Sequence, residues 1–285
     1  MTQDFVALLG TKGGPAIRPG STMPTSNLMS IGGHRVVVDC GLGVSRGLID
    51  QNVRLQDVDL IFVTHMHSDH YLELGPLLHT AWTAGKKTPA HIWGPSGLRA
   101  YWSGFLQSMA EDIDLRIEDE GRPDLRSLIT LHEITPDQPM LFGDLTVQAM
   151  RVLHPPLIDC YALRFTVGEK SVVFSGDTAF YPALADFALG ADLLVHEAML
   201  GDALPALMAR IGNADDRLMK HWLQSHTLAA DAARLATMAG VKALALNHLI
   251  PSDDPAYGEP EWRASVAPHW GGPFHLGRDG LVIPI

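Results

Sequence analysis

A short histidine-rich segment that follows a predicted strand constrains this chain most strongly. The apolar run Asp59–Val63 contains β-branched residues and is typical of a buried strand. Directly beyond it come the metal-competent side chains His65, His67, Asp69 and His70. In an extended segment the first two rings fall on the same side and can bind one ion, while the second pair can reach another ion from the following turn. A polar loop that is merely rich in histidine is the alternative, and the close spacing argues against it.

The composition of the 285-residue chain is that of a globular enzyme, with 46% hydrophobic and 19% charged residues. Its formal net charge of −11 disfavours a surface that follows phosphate backbones. Cys40 and Cys160 are too few for a disulfide framework and lack the spacing of a structural zinc site. No signal peptide and no run of ~18 apolar residues is visible, so we expect a soluble, cytoplasmic protein without a membrane partner.

Apolar runs predict strands in both halves of the chain, with helices between them. The predicted strands cover residues 5–10, 26–31, 35–38, 59–63, 90–94, 128–134, 145–150, 161–167, 171–174, 192–195 and 242–246. Helices are predicted at 72–85, after Ser96 and at 227–238. Two similar halves of this kind favour two sheets packed face to face with helices outside, an α+β architecture. Because the candidate ligands extend from His65 to His248, residues 1–285 are expected to form a single domain.

Three further segments carry expectations of their own. The acidic stretch Glu111–Asp124 is predicted to be a solvated connection. Trp82, Trp93 and Trp102 are assigned to the core rather than to a substrate pocket, because aromatic residues at helical spacing usually pack inside. The Gly- and Pro-rich loop Thr11–Thr25 is too long for a simple turn, which favours a functional role.

Other predicted strands also end in candidate ligands. His154, Asp177 and His248 each follow an apolar run. One histidine at the end of a strand is usually only solvated. Several such residues, each at the end of an apolar strand, instead indicate a shared metal site.

The segment His65–His70 resembles the H-x-H-x-D-H signature of the metallo-β-lactamase superfamily, most of whose members are two-metal hydrolases. Other segments resemble motifs of its ribonuclease Z branch and occur in the same order: Leu9–Thr11, Val38–Gly41, Ile92–Gly97, Leu194–Ala198 and Ser225–Ala233. The resemblance covers nearly the whole chain. It implies a four-layer αββα sandwich, with two mixed β-sheets face to face and helices outside.

The resemblance also implies a ligand set for two metals. One metal would be held by three histidines, the other by an aspartate and two histidines, and a second aspartate would bridge them. The residues for the first metal are His65, His67 and His154, and those for the second are Asp69, His70 and His248. The bridging aspartate is Asp177. Five imidazoles and two carboxylates suit two Zn²⁺, although Mn²⁺ or iron accepts the same mixture.

Catalytic and supporting roles follow from the same resemblance. The expected nucleophile is a hydroxide held between the metals and oriented by Asp69. In the ribonuclease Z branch a glutamate holds the histidine that protonates the leaving group, and here these are Glu197 and His226. The alternative for His226 is a cap residue of the helix at 227–238. An aspartate at the position of Asp39 supports the metal-binding loop by hydrogen bonds, with the capping of a turn as the alternative.

The chain departs from the branch in two places. Ribonucleases Z that cut precursor tRNA carry a basic arm between the third-motif histidine and the bridging aspartate, and residues 155–176 are too few to form one. Extra length at residues 199–224 contains apolar side chains that suit a lid over the site. An ordinary packing helix and a homodimer contact are the alternatives for this segment.

These observations predict a two-metal hydrolase of a small or medium substrate, which is a phosphodiester, an ester, a lactone or an amide. Because the arm is missing and the charge is negative, a small molecule rather than nucleic acid is the expected partner. The first alternative is an endonuclease of the ribonuclease Z type that processes tRNA 3′ ends. The second is a metal-binding sensor, which the intact ligand set and proton-donor pair disfavour.

Overall fold

The computed structural model describes residues 4–211 and 215–285. Within these residues the strands form two seven-stranded sheets. The strands of the first sheet are β1 Phe5–Gly10, β2 Ser26–Ile31, β3 His34–Cys40, β4 Leu60–Phe62, β5 Ala90–Gly94, β6 Ile129–Glu133 and β14 Leu281–Pro284. Those of the second are β7 Met140–Phe142, β8 Leu145–Arg151, β9 Tyr161–Val167, β10 Lys170–Phe174, β11 Leu193–Met199, β12 Leu244–Ile250 and β13 Phe274–Leu276.

Helices follow or connect these strands. They are α1 Val44–Asp50, α2 Leu74–Thr83, α3 Leu98–Ser108, α4 Ala110–Glu120, α5 Leu125–Leu128, α6 Ala183–Phe187, α7 Leu204–Ile211, α8 Asp216–Ser225, α9 Ala229–Ala239 and α10 Glu259–Val266. Of the predicted helices, 72–85 and 227–238 correspond to α2 and α9. The predicted helix after Ser96 is α3, which begins at Leu98 without a side-chain cap.

Buried side chains explain the layers. One cluster joins the facing surfaces of the two sheets, with Phe62 of β4 against Phe165 of β9. A second packs the outer face of the first sheet against α1–α5, and a third packs the outer face of the second sheet against α6, α9 and α10. Burial of apolar surface on both faces of each sheet therefore produces the predicted four-layer αββα sandwich.

Both sheets are mixed, and their parallel parts position the site. The first sheet has the order β14-β1-β2-β3-β4-β5-β6, with β3 to β6 parallel. The second has the order β13-β12-β11-β10-β9-β8-β7, with β10 to β13 parallel. The predicted ligands follow strands β4, β8 and β10 or lie near the end of β12. They therefore come from the ends of strands in both sheets, where sites commonly form.

One local prediction was wrong. The acidic stretch Glu111–Asp124 is not a solvated connection, because α4 covers most of it. Ile113 is buried and Ile117 packs on the same cluster one turn later, which gives the helix an apolar side. On the acidic side of the helix, the Arg116 guanidinium donates hydrogen bonds to Asp112, one turn before it, and to Glu120, one turn after it.

The tryptophans lie where they were expected. Trp82 and Trp102 are buried in the cluster beneath the first sheet. Trp93 packs between the sheets, stacked on His132. None of the three lines the cavity described below.

Candidate metal centre and substrate cavity

The histidine-rich segment leaves β4 and turns back within a few residues. A 3₁₀ turn at Ser68–His70 follows His67, and the His70 N–H donates to the His67 carbonyl at 3.0 Å. His65, Asp69 and His70 are each at most 4% exposed, whereas His67 is half-buried. The turn therefore directs all four side chains inward, two from the extended part and two from the turn.

The remaining predicted ligands arrive from the second sheet. His154 follows β8, and Asp177 follows β10 after Gly176, whose φ of +58° reverses the chain. His248 does not end its strand, because β12 continues to Ile250. It lies instead at a β-bulge, where the pairing with β11 shifts register and its own φ is +46°. The bulge turns the imidazole toward the other ligands.

The structure brings all seven predicted ligands together. In each of three groups the ligand atoms lie within 4.8 Å of one another. The groups are His65, His67, His154 and Asp177; Asp69, His70 and His248; and Asp177, His226 and His248.

Asp177 lies between these groups. Its Oδ2 is 3.6 Å from His65 Nε2, 3.4 Å from His70 Nε2 and 3.1 Å from His248 Nε2. One carboxylate oxygen thus lies near both predicted metal positions, as a bridging ligand requires.

The unpaired atoms of this cluster fit metal ions. Nε2 of His65 and Nε2 of His70 are buried without a hydrogen-bond partner among the described residues. Their other nitrogens are anchored: His65 Nδ1 lies 3.1 Å from the Thr64 hydroxyl, and His70 Nδ1 lies 2.8 Å from the Asp39 carboxylate. Buried unpaired nitrogens are costly, and metal coordination satisfies them.

Burial and charge set the protonation of these ligands. Desolvation, followed by the neighbouring His70, holds the pKa of His65 well below its ordinary value. Burial also lowers the pKa of His67 to about 4. Both rings are therefore neutral near pH 7, which is the form that binds metal. Although burial opposes it, the surrounding imidazoles hold the pKa of Asp177 well below its usual range.

Asp39 stabilises the histidine-rich segment by hydrogen bonds. Its carboxylate accepts the Thr64 N–H at 2.8 Å, the Thr64 hydroxyl and the His70 Nδ1–H. The side chain is buried and its hydrogen bonds go to Thr64 and His70, which are 25 and 31 residues away, rather than to a turn that follows β3. The hydrogen bonds expected for Asp39 are present.

Glu197 and His226 form a second buried pair beside the ligands. His226 Nδ1 lies 3.1 Å from Glu197 Oε1 and 4.0 Å from Asp177 Oδ2. His226 follows α8 and precedes α9 by two residues, so it does not cap α9, whose N-cap is Leu228. The ring lines a cavity that opens above the ligands.

This cavity has a volume of about 390 Å³ and receives residues from four parts of the chain, one of which is the segment 250–253 after His248. The ligand cluster contributes His67, Asp69, Asp177 and His248, and the loop Thr11–Thr25 contributes Lys12 and Arg18. Helices α7 and α8 contribute a largely apolar wall of Leu207, Ile211, Leu218, His221 and Trp222.

His221 and Lys12 are among the cavity residues that were not identified from the sequence. His221 lies with its ring centre 6.2 Å from that of His67, and Lys12 lies beside Asp69 in the lining. His221 occurs four residues before Ser225, whose carbonyl accepts from His154 Nδ1 at 2.7 Å. Helical spacing back from the Ser225–His226 motif would have indicated it. Lys12 and Arg18 are the two cations of the loop Thr11–Thr25, for which the sequence predicts a functional role.

Comparisons with known proteins agree with this geometry. A family model described as "Anti-Pycsar protein Apyc1" matches residues 6–211. A ribonuclease Z of Mycobacterium marinum is 31% identical over 277 residues, which is 96% of both chains. The chain belongs to the ribonuclease Z-like branch of the metallo-β-lactamase superfamily. As a ribonuclease Z-like member of this superfamily it is a metal-dependent hydrolase.

Solved structures share the fold of this ribonuclease Z-like protein. The metallo-β-lactamase fold protein YhfI of Bacillus subtilis has a TM-score of 0.71 at 23% identity, with 99% of each chain covered. Human tRNase Z, short form, has a TM-score of 0.70 at 21% identity, again over 99% of each chain. Likeness at this identity establishes the fold and leaves the substrate open.

The interval between His154 and Asp177 is short in this ribonuclease Z-like protein, as the sequence indicated. Residues 155–176 hold a turn, β9 and β10, and the two strands pair from Lys170 and Val167 onward.

Within the described part of the chain, no helix is long and apolar enough to cross a membrane.

Proposed function

We propose that this protein is a two-metal phosphodiesterase of a small or medium substrate. The observation that carries the proposal is the position of Asp177 at the floor of one cavity. Asp177 is grouped with His65, His67 and His154, and its Oδ2 also lies 3.4 Å from His70 Nε2 and 3.1 Å from His248 Nε2 of the second group. His65, His67 and His154 would hold one ion, and Asp69, His70 and His248 the other. Zinc suits five imidazoles and two carboxylates best, and Mn²⁺ or iron would also accept this set.

When bound, two such cations lower the pKa of a water molecule and polarise the bond to be cut. Orientation of the attacking water and protonation of the leaving group are assigned to the protein's own residues. The Asp69 carboxylate accepts the Gly14 N–H at 2.8 Å and faces the cavity, where it would orient the attacking water by accepting its hydrogen bond. His226, held by Glu197, would donate a proton to the departing oxygen.

The substrate class follows from the relatives and the cavity together. The relatives are named for a ribonuclease, and a ribonuclease cuts phosphodiesters. A cavity of about 390 Å³ lies within the usual range for small-molecule sites and has room for a small diester. The apolar wall of α7 and α8 would contact the uncharged part of such a molecule. A phosphodiester is therefore preferred to an ester, a lactone or an amide.

We also propose that residues 199–224 are a lid carried by a single domain. Leu204, Leu207 and Trp222 form a cluster with Met199 and Ile250, and this packing supports a cover formed by α7 and α8. Residues 212–214 of the predicted segment lie outside the described residues. A cover of this kind excludes water and strengthens the field of the bound metals.

We place the reaction in the cytoplasm. Cys40 and Cys160 are both buried free thiols, which fits a reducing compartment. Fractionation of cells that express a tagged protein would test this location.

A second candidate function is tRNA 3′-end processing. The mycobacterial ribonuclease Z relatives match 96% of this chain, so they do not support the expectation that nucleic acid is not a partner. The short interval at 155–176 and the net charge of −11 favour the small substrate.

The test compares bis-p-nitrophenyl phosphate, a p-nitrophenyl ester, a lactone and a precursor tRNA with zinc-reconstituted protein. We expect turnover of the phosphodiester, two metals per chain by elemental analysis, and loss of both metal binding and turnover in Asp177→Ala. Efficient cleavage of the precursor tRNA that weakens steeply with salt would establish the second candidate instead.

A further inference from the structure

Lys12 is a buried cation on the wall of the substrate cavity. The residue is 4% exposed, and its backbone is fixed on both sides: the Lys12 N–H donates to Met23, and the next N–H, that of Gly13, donates to Leu249 of β12. The ammonium donates to the carbonyls of Gly13 at 2.6 Å and Gly14 at 3.1 Å. An ammonium has three protons to donate, so one remains for another acceptor.

This ammonium has no carboxylate partner. Within residues 4–211 and 215–285, no carboxylate oxygen lies within 4.0 Å of Lys12 Nζ. The other cation of the cavity wall, Arg18, pairs with Asp253 at 3.6 Å. Buried charges are normally paired, because burial without a counter-ion is costly. Lys12 therefore brings to the cavity a positive charge that no carboxylate of the described residues contacts directly, although Asp253 and Asp69 are near enough to attract it.

The segment that holds this charge lies directly on the predicted ligands. The Gly14 N–H donates to Asp69 Oδ2 at 2.8 Å, and a side chain at Gly13 would lie 2.8 Å from atoms of the His248 ring. The peptide group that presents its carbonyl to Lys12 thus presents its N–H to Asp69. An anionic group bound at the ligand cluster would lie on the same side of the cavity as Lys12.

We propose that Lys12 is a specificity-determining residue that binds an anionic oxygen of the substrate, the negatively charged phosphoryl group of a phosphoester. This inference rests on the proposed function and adds to it a residue that selects charged substrates over neutral ones. A bound phosphoryl group would supply the direct counter-ion contact that Lys12 lacks among the described residues. An ammonium is a common phosphate-binding group in proteins.

Lys86 provides a matched control. It is 1% exposed, and its ammonium contacts the Gln56 carbonyl and the Thr88 hydroxyl at 3.3 and 3.4 Å. It resembles Lys12 in burial and in having only uncharged partners. It lies beside a different cavity, lined by Trp82 and Arg122, so Lys86→Met removes a buried ammonium away from the predicted ligands.

The experiment measures binding of inorganic phosphate to zinc-loaded protein by calorimetry, together with the melting temperature. For Lys12→Met we expect the dissociation constant to rise about tenfold or more and the melting temperature to stay the same or rise, because a buried unpaired charge is removed. Lys86→Met should change the dissociation constant less than about twofold, because Lys86 does not line the cavity that contains the predicted ligands. Lys12→Gln, which still donates hydrogen bonds, serves if Lys12→Met does not fold.

Two results would overturn the proposal. One is unchanged phosphate affinity in a folded Lys12 variant. The other is a loss of affinity that accompanies a lower melting temperature in both Lys12 variants, which would show that Lys12 only supports the loop. Phosphate binding needs no turnover, so absence of phosphodiesterase activity would reject the proposed function and leave this test of Lys12 standing.

Discussion

Glu197 Oε1 lies 3.1 Å from His226 Nδ1 and accepts the Thr178 N–H at 2.9 Å. Thr178 directly follows Asp177, so one carboxylate oxygen connects the predicted proton donor to the segment of the predicted bridging ligand. The Thr227 hydroxyl, next to His226, donates to the Thr178 carbonyl at 2.6 Å. His226 is therefore fixed relative to the ligand cluster from two sides.

Replacement of His226 by alanine should slow substrates according to their leaving group. A departing alkoxide needs a proton, whereas nitrophenolate leaves without one, and general acid catalysis contributes ~10²–10⁴-fold. We expect a loss of that size for an alkyl leaving group and a much smaller loss for bis-p-nitrophenyl phosphate. The measurement is kcat over a series of diesters with leaving groups of increasing pKa. Equal losses across the series would assign His226 a structural role.

Replacement of Asp39 by asparagine should weaken metal binding while preserving shape. Asp39 accepts from both Thr64 and His70, and an amide cannot accept from all of these donors at once. Loss of such supporting hydrogen bonds typically reduces metal affinity ~10–100-fold. Competition with a chelator of known affinity measures the change. Asp50→Asn is the control, because Asp50 is exposed and, among residues 4–211 and 215–285, its carboxylate pairs only with Arg46 on α1. Wild-type affinity in Asp39→Asn would contradict this role.

The sequence was sufficient to identify the candidate ligands that the structure brings together, because these residues lie in short motifs. Four of the predicted ligands lie in His65–His70, and the others follow apolar runs, so local patterns were sufficient to find them. The bulge at His248 was missed. Leu244–Ile250 is an apolar strand with Asn247 and His248 as its only polar residues, and nothing in that pattern indicates a change of register. A bulge is decided by pairing with β11, which a local pattern does not contain.

The cavity wall could be predicted only in part. The apolar residues of 199–224 suited a lid, with a packing helix or a homodimer contact as alternatives. Their positions depend on packing against Met199 and Ile250, which are distant from α8 in sequence. The role of Lys12 depends on the contact of its loop with β12. The helix α4 was missed because its charged side dominates the composition, while two isoleucines suffice to anchor it.

The affinity for anionic substrates should depend on pH through Lys12. Burial, and then the nearby Arg18, lowers the pKa of Lys12 to about 8. Lys12 is charged below this pH, so KM for an anionic diester should be constant there and rise by up to about tenfold per pH unit above it. The folded-state pKa lies below the unfolded one, so the charged form costs stability below pH 8, and that cost disappears as the pH rises toward 10.5.

Lys12→Arg distinguishes this cause from others. Arginine stays charged across the range, so the rise in KM above pH 8 should disappear in this variant. The measurement is KM for bis-p-nitrophenyl phosphate from pH 6.5 to 9.5 at saturating zinc, with these pH limits set about 1.5 units either side of the Lys12 pKa. The same rise in Lys12→Arg would assign the pH dependence to another group.

Replacement of Trp222 by alanine tests the cover over the site. Trp222 lines the cavity and packs with Leu207 and Ile250. Its loss should raise KM for a small aromatic diester about tenfold, since burial of an aromatic ring contributes more than 1.4 kcal/mol. Metal content should not change, because Trp222 is not among the grouped ligands. KM should also vary little between ~50 and ~200 mM salt, since few phosphates are contacted.

Trp262→Ala separates this effect from a general loss of stability. Trp262 is buried with α10 behind the second sheet and does not line the cavity. Both substitutions remove a buried tryptophan, which typically costs about 3–5 kcal/mol of stability. A rise in KM confined to Trp222→Ala would support a cover that contacts the substrate. A similar rise in both variants, matched by similar losses in melting temperature, would show that α8 only stabilises the fold.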